Sequence, residues 1–331
     1  QLVPLAPVAI NGTTEVQAEA FARRQSASGH SWLVVDQETV GVGAFTGATG
    51  PALDYVQALT TAGQDSATVA LAPSATYIEY AIQVPTAGVY DLKLRTTGPS
   101  GTSDSLWVEV PSGSLFDAQA NPIVSGGLNV ATGLTSAFAL RNAGRWELSA
   151  GTHTIRISMR ESGAALDALQ IVPPAATPIV GTTVIQAESF TRRQSGNGHQ
   201  WSVVDQETVG TGGFSGATGP ALDYVQALTP TFQDSASQNN APAAPSIEYD
   251  IVISAAGVYQ LDLRAAGISG TSDSLWIEAP TGLLRDAQGN SFAAGALQIQ
   301  TNSTGVFTLQ NAGRWEFAAG THTIRISMAE S

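Results

Sequence analysis

Tyr77-Ile-Glu-Tyr-Ala-Ile-Gln-Val84 decides the fold class. Ile78, Tyr80, Ile82 and Val84 fall on every second residue and share one face, while Glu79, Ala81 and Gln83 take the other. A period of two belongs to a half-buried β-strand, whose successive side chains point to opposite sides. The next run, Val89–Arg95, behaves alike, with Tyr90, Leu92 and Leu94 inward and Asp91, Lys93 and Arg95 outward. Thr154–Met159 places Ile155, Ile157 and Met159 inward, and Ile247–Ile253 holds Glu248 and Asp250 outward. Turn signals separate these runs at Thr86-Ala-Gly88, Gly98-Pro-Ser-Gly101 and Ser149-Ala-Gly151. No long stripe of period 3.6 with capping residues occurs, so the pattern predicts an all-β protein of sandwich or barrel type.

The same runs occur twice. Glu19-Ala-Phe21 returns as Glu188-Ser-Phe190, Trp107 as Trp276 and His153 as His322, always 169 residues later. Gly12–Ser162 aligns with Gly181–Ser331 without a gap at roughly two thirds identity, and a unit this long is a whole domain in tandem rather than a solenoid repeat. Two tandem β-sandwich (jelly-roll) domains are therefore expected, each of eight or more strands. Residues 1–11 read as the tail of a preceding repeat, because Gln1-Leu-Val-Pro4 matches Gln170-Ile-Val-Pro173. Residues 12–172 form repeat 1, 173–180 a Pro/Ala linker, and 181–331 a repeat 2 that lacks the counterpart of Gly163–Leu169 and its last strand. The expectation is a piece cut from a longer array, against a plain boundary of the chain studied.

Composition narrows the function classes. The 331 residues carry 27 acidic and 14 basic side chains, a net charge of −13, and only 12% charged against 43% hydrophobic residues. Such a chain folds rather than staying disordered. Its acidity argues against nucleic acid, and it contains no apolar run long enough to insert in a membrane. The absence of cysteine excludes disulfides, zinc–thiolate and iron–sulfur chemistry. A cysteine-free chain rich in Gly, Ser, Thr and Ala fits a secreted or cell-surface bacterial protein.

Five stretches, in order, resemble carbohydrate-binding modules of families 6 and 35. They are Val16-Gln-Ala-Glu-Ala-Phe21, Ile78–Tyr90, Ser103-Asp-Ser-Leu-Trp107, Ala150–Ile157 and Arg160–Ile171. The resemblance covers nearly all of both copies except the inserts near residues 28–70 and 111–140. It implies a non-catalytic module with a structural calcium ion between the first and last strands. On that resemblance Glu19 and Glu188 match the family's Ala-Glu ligand and Asp167 its Leu-Asp ligand; Gln17 and Gln186 stand where a second glutamate is common. Calcium needs several oxygen ligands at once, and an amide oxygen in place of a carboxylate removes one charge and lowers affinity. The alternative is that Glu19 caps a turn or pairs with Arg23 or Arg24.

Sugars stack on exposed aromatic rings while polar groups bond their hydroxyls. Trp107 shares parity with Ser105 and Glu109, and Trp276 with Ser274 and Glu278, so both are expected on the polar face of a strand, open to a ligand. Trp146 and Trp315, beside Asn142 and Asn311, resemble the family's Gly-x-Trp loop near the sugar site; Trp146 equally shares parity with Leu148 and so suits the core. Trp32 and Trp201 lie in Gly-rich loops, suited to binding or to packing. One departure stands out: the related modules often carry asparagine before the Leu-Asp, and here that residue is Ala165. The inserts are then expected to cover or rebuild the usual site.

No catalytic motif is present, and the loop carboxylates Asp36, Glu38, Asp54 and Asp65 show no pairing legible from sequence. The expected function is a non-catalytic array that binds a polysaccharide or glycan. The competing one is a structural repeat of an extracellular fibre, stalk or adhesin, in which neighbouring copies complete each other's sheets.

Overall fold

The fold is that of a computed structural model, which describes residues 6–26, 29–36, 45–50, 53–60, 76–99, 105–116, 127–133, 137–195, 199–204, 214–217, 224–228, 244–267, 274–285, 296–301 and 305–329. Two compact units divide the chain, the first ending at Pro174 and the second beginning at Ala175. The regular structure of the described residues is strand, apart from a short 3₁₀ turn at Ala187–Ser189.

The first unit contains β1 (Val8–Ala9), β2 (Thr14–Gln17), β3 (Arg23–Gln25), β4 (His30–Val35), β5 (Tyr55–Thr60), β6 (Tyr77–Val84), β7 (Gly88–Thr97), β8 (Ser105–Glu109), β9 (Ser114–Phe116), β10 (Leu128–Ala131), β11 (Ala139–Leu148), β12 (Gly151–Met159) and β13 (Ala165–Val172). One sheet runs β1-β6-β12-β8-β10, with β3 also on β6; the other runs β4-β5-β13-β7-β11-β9, with β2 also on β13. The alternating residues build the core. Ile78, Tyr80, Ile82 and Val84 of β6, Tyr90, Leu92 and Leu94 of β7, and Ile155, Ile157 and Met159 of β12 belong to one buried cluster between the sheets. Burying such side chains contributes roughly 1.5–3 kcal/mol each.

Strand β13 is central to the second sheet. It pairs antiparallel with β7 along one edge, and on its other edge with β5 through Ala165 and Leu166 and then with β2 through Ala168–Ile171. The register against β7 slips between Leu166 and Ala168, so Asp167 sits at a β-bulge where the strand changes partner.

The second unit contains β14 (Thr177–Ile179), β15 (Arg192–Gln194), β16 (Gln200–Val204), β17 (Tyr224–Leu228), β18 (Ser246–Ile253), β19 (Gly257–Ala265), β20 (Ser274–Glu278), β21 (Leu283–Arg285), β22 (Ala296–Gln300), β23 (Thr308–Phe317) and β24 (Gly320–Met328). Its first sheet, β14-β18-β24-β20-β22 with β15 on β18, repeats that of the first unit. Its second is divided into a β16–β17 pair and a β19-β23-β21 sheet. Among the described residues no strand joins these two pieces.

Candidate functional site

An acidic cluster occupies the end of the first unit where β2 and β13 meet. Strand β2 stops at Gln17, and the turn after it is fixed from three sides. Ala20 N donates to Gln17 O at 3.1 Å, Ala18 N to Asp167 O at 2.9 Å, and the Tyr80 hydroxyl to Ala18 O at 2.7 Å. That turn carries Glu19. The bulge turns Asp167 toward the same end, fully buried. Its carboxylate accepts from Thr49 N at 3.0 and 3.1 Å and from Thr49 Oγ1 at 2.7 Å, and Arg95 Nε lies 3.5 Å away.

Burial raises the pKa of Asp167 against the lowering effect of Thr49 and Arg95. Burial likewise raises that of Glu19, to which the charges of Asp54 and Asp167 add. Three acceptors here are buried with no hydrogen-bond partner: Gln17 Oε1, Glu19 Oε2 and Asp54 Oδ1. The loop at Gly50 comes so close that a Cβ there would lie 2.7 Å from Gln17 Oε1. The free atoms are all oxygen acceptors, a set that suits a hard cation or a hydroxyl donor. Asp167, expected as a plain metal ligand, is already held by a threonine and shadowed by a guanidinium, because the insert loop around Thr49 folds over it.

In the second unit Glu188 stands on the 3₁₀ turn and Gln186 caps its start, and among the described residues no strand pairs with this segment. The turn keeps its anchor, since the Tyr249 hydroxyl donates to Ala187 O at 2.6 Å. Among the described residues no group of three or more His, Asp or Glu could by itself hold a metal ion.

The tryptophans differ from expectation. All six are buried, from 1% exposure at Trp315 to 8% at Trp276. Trp107 does face away from the core that takes Leu106, Val108 and Val110, so its parity was correctly legible. Its face is nevertheless covered: Trp107 is 5% exposed, with the Arg160 guanidinium 5.7 Å from the ring. Trp276 packs against Ala296 and Ala329. Parity assigns a side chain to a face, and whether other chain segments cover that face is a separate matter.

Trp146 and Trp32 belong to the core, with Nε1 donating to Ala143 O at 3.0 Å and to Thr76 O at 3.4 Å. Trp315 is held likewise by Ala312 O at 2.9 Å, and Trp201 is 3% exposed. Asn142 and Asn311 are turn-formers. Their Oδ1 atoms accept from Gly144 N at 2.9 Å and Gly313 N at 2.8 Å, at bulges where those glycines adopt φ of 91° and 92°. His153 is similarly committed, its ring between Ser112 Oγ at 2.9 Å and Ser149 O at 2.8 Å.

An aromatic cluster escaped the sequence reading. Phe45, Tyr55 and Phe138 meet at ring-centroid distances of 5.2–5.9 Å over Ala165, the position where the related modules often place an asparagine. Both inserts contribute, joined by a parallel bridge between Thr46 and Ala137. Phe214, Tyr224 and Phe307 repeat the cluster at 5.3–5.7 Å. Three aromatics recurring at the offset of 169 inside the inserts were the available signal. Of the loop carboxylates, Glu38 and Asp65 lie outside the described residues.

No protein-family model and no curated protein matches the chain. Solved structures similar over about half of it include the Podospora anserina GH26-CBM35 β-(1,4)-mannanase, at 20% identity and TM-score 0.34, covering 50% of this chain and 29% of that one. A carbohydrate-binding module from Cellvibrio mixtus lichenase 5A in complex with cellotriose shares 17% identity at TM-score 0.30, over 49% of this chain and 98% of the module. The family 35 module from Clostridium thermocellum shares 18% identity at TM-score 0.29, over 49% and 98%. No helix among the described residues is long and apolar enough to cross a membrane.

Proposed function

We propose that the chain is a pair of non-catalytic glycan-binding modules of a secreted or cell-surface bacterial protein, each steadied by calcium at the end of the sandwich that carries Glu19 or Glu188. The observation that carries this reading is the set of buried acceptors without donors, Gln17 Oε1 and Glu19 Oε2 in the stretch that resembles the families' Ala-Glu, together with Asp54 Oδ1 from the insert. Buried acceptors without a partner are costly, and a divalent cation would supply the missing positive charge. With no group of three such side chains sufficient alone, backbone carbonyls and water would complete the coordination. Gln17, Glu19 and Asp54 would hold the ion directly, and Asp167 would support it through its remaining lone pairs. Gln186 and Glu188 take these places in the second unit. Polysaccharide contact then falls to polar loop groups rather than to tryptophan rings. Two modules on one chain raise avidity by making the second contact intramolecular.

The test is a glycan array with affinity gels, run with and without calcium. Ligand capture that weakens on chelation supports the proposal; no ligand at millimolar concentration together with a melting curve unchanged by chelator overturns it. A structural repeat, stacking with neighbouring copies, is the second reading. It is favoured by the burial of all six tryptophans and by the aromatic cluster over Ala165. Electron microscopy of the concentrated protein separates the two, since a monomer at high concentration counts against stacking.

A further inference from the structure

We propose that Glu15 and Arg95 form a charged latch that sets the cation affinity of the first unit, Glu15 by turning the Gln17 amide oxygen inward and Arg95 by competing with the cation for Asp167. The inference rests on the calcium reading above and concerns two residues outside its ligand set. Glu15 and Gln17 stand two apart on β2 and share a face. Gln17 Nε2 donates to Glu15 Oε1 at 3.2 Å. An amide carries its donors and its acceptor on one planar group, so tying the NH2 to a carboxylate sends the oxygen the other way. That oxygen, Gln17 Oε1, is the buried acceptor without a partner beside Gly50. The reversed amide would present donors there and repel a cation. In the second unit Val184 stands at the place of Glu15, so Gln186 has no carboxylate two residues before it.

Arg95 spans the two carboxylates of the latch, with Nε 3.5 Å from Asp167 Oδ2 and Nη2 3.9 Å from Glu15 Oε2. Its Nε is buried and makes no hydrogen bond, so the guanidinium is held by charge rather than by directed bonding. Thr49 Oγ1 loads the same Asp167 Oδ2 at 2.7 Å, while Thr49 N is shared between Oδ2 and Oδ1. Asp167 Oδ1 therefore keeps the freer lone pairs for support of an ion. Without metal, Arg95 compensates a fully buried carboxylate whose charge is otherwise costly. With metal, the guanidinium and the divalent ion repel each other where water screens them poorly. The contact between Arg95 and Glu15 is long, and the Glu15 side chain is a third exposed, so it adds little to stability. Removing Glu15 thus probes orientation of Gln17 and not folding.

The test is calorimetric titration of calcium chloride into the 331-residue chain, with Glu188→Gln in every protein so that the heat reports the first unit, and melting of the same proteins in chelator. Glu15→Val should weaken calcium binding about fivefold and leave the chelated melting temperature unchanged. Arg95→Gln should tighten binding about fivefold while lowering the chelated melting temperature, and Arg95→Lys should restore both toward the parent. A purely structural role for Arg95 would weaken binding and stability together. Calcium binding by the parent that neither Glu15→Val nor Arg95→Gln alters in these directions overturns the latch and leaves the calcium reading standing. No binding by the parent or any variant overturns both, and binding by Arg95→Gln alone supports the latch.

Discussion

Arg192 grips Asp250 with two hydrogen bonds, Nη1 to Oδ2 at 2.8 Å and Nη2 to Oδ1 at 2.5 Å, while its Nε reaches Glu248 Oε2 at 2.5 Å. The first unit has no such fork. Ala81 replaces Asp250, and the counterpart Arg23 is mostly exposed, 3.7 Å from Glu79. Arg192→Ala is therefore expected to destabilise the second unit by about 1–3 kcal/mol, and Arg23→Ala to cost the first about 0–1 kcal/mol. Chemical denaturation of the two variants checks the difference; equal effects would refute it.

The same network sets an acid limit. Burial opposes it, yet hydrogen bonds from Arg192 and Arg325 hold the Glu248 carboxyl below its usual 4.5. A lowered folded pKa gives stability that is present above the unfolded value and lost as pH falls through the folded one. The contribution of Glu248 should thus be fully present above 4.5 and be lost only as pH falls below that through the lowered folded value. A Glu248→Gln variant should lie below the parent in melting temperature at pH 5–7 and converge with it in stronger acid.

Glu19 has the opposite sign. Burial, then the charges of Asp54 and Asp167, raise its pKa above 4.5. Both folded and unfolded states are protonated below the unfolded value; between that value and the raised one the folded state binds more protons, so stability falls as pH rises through this window. In chelator at pH 7, Glu19→Gln should melt about 2–4 °C higher than the parent. With calcium present the order should reverse, because the variant loses a charged ligand. The same order in both conditions would remove Glu19 from any cation site.

Six buried indoles predict a blue-shifted emission that iodide quenches weakly in the native protein. Trp146→Ala should destabilise the first unit by about 3–5 kcal/mol, as expected of a large core side chain. Loss of glycan capture in that variant would then report unfolding and not a lost stacking platform. Strong iodide quenching before denaturation would contradict the burial.

Gly313 combines a φ of 92° with a Cβ position 2.8 Å from Leu284 Cδ1. Gly313→Ala should cost about 1–3 kcal/mol, through backbone strain and crowding together. A neutral effect would mean that the bulge in β23 rearranges at no cost.

Strands were legible wherever one face was buried and the other wet. Tyr77–Val84 coincides with β6 and Thr154–Met159 lies within β12, with the expected inward residues buried, although Glu79, expected outward, and Ser158 are buried as well. The faces were legible as well, down to Trp107 pointing away from the core. Coverage was not. Trp107 lies beneath neighbouring segments whose approach depends on contacts distant in sequence, and no local pattern encodes those. The acidic end was legible in part. Glu19 and Asp167 were found by resemblance, whereas Thr49 and Arg95, which satisfy Asp167, come from an insert and from a strand read only as polar-out. The cluster of Phe45, Tyr55 and Phe138 was missed because its members are isolated in loops of low periodicity, far apart along the chain.

The central place of β13 bears on biosynthesis. Its partners in β2, β5 and β7 emerge from the ribosome long before it does, and the sheet they belong to cannot close until residues 165–172 arrive. Nearly the whole repeat must therefore be translated before its fold locks. Closure so late couples distant segments and makes for slow maturation, during which a nascent chain offers naked strand edges to its neighbours on the polysome.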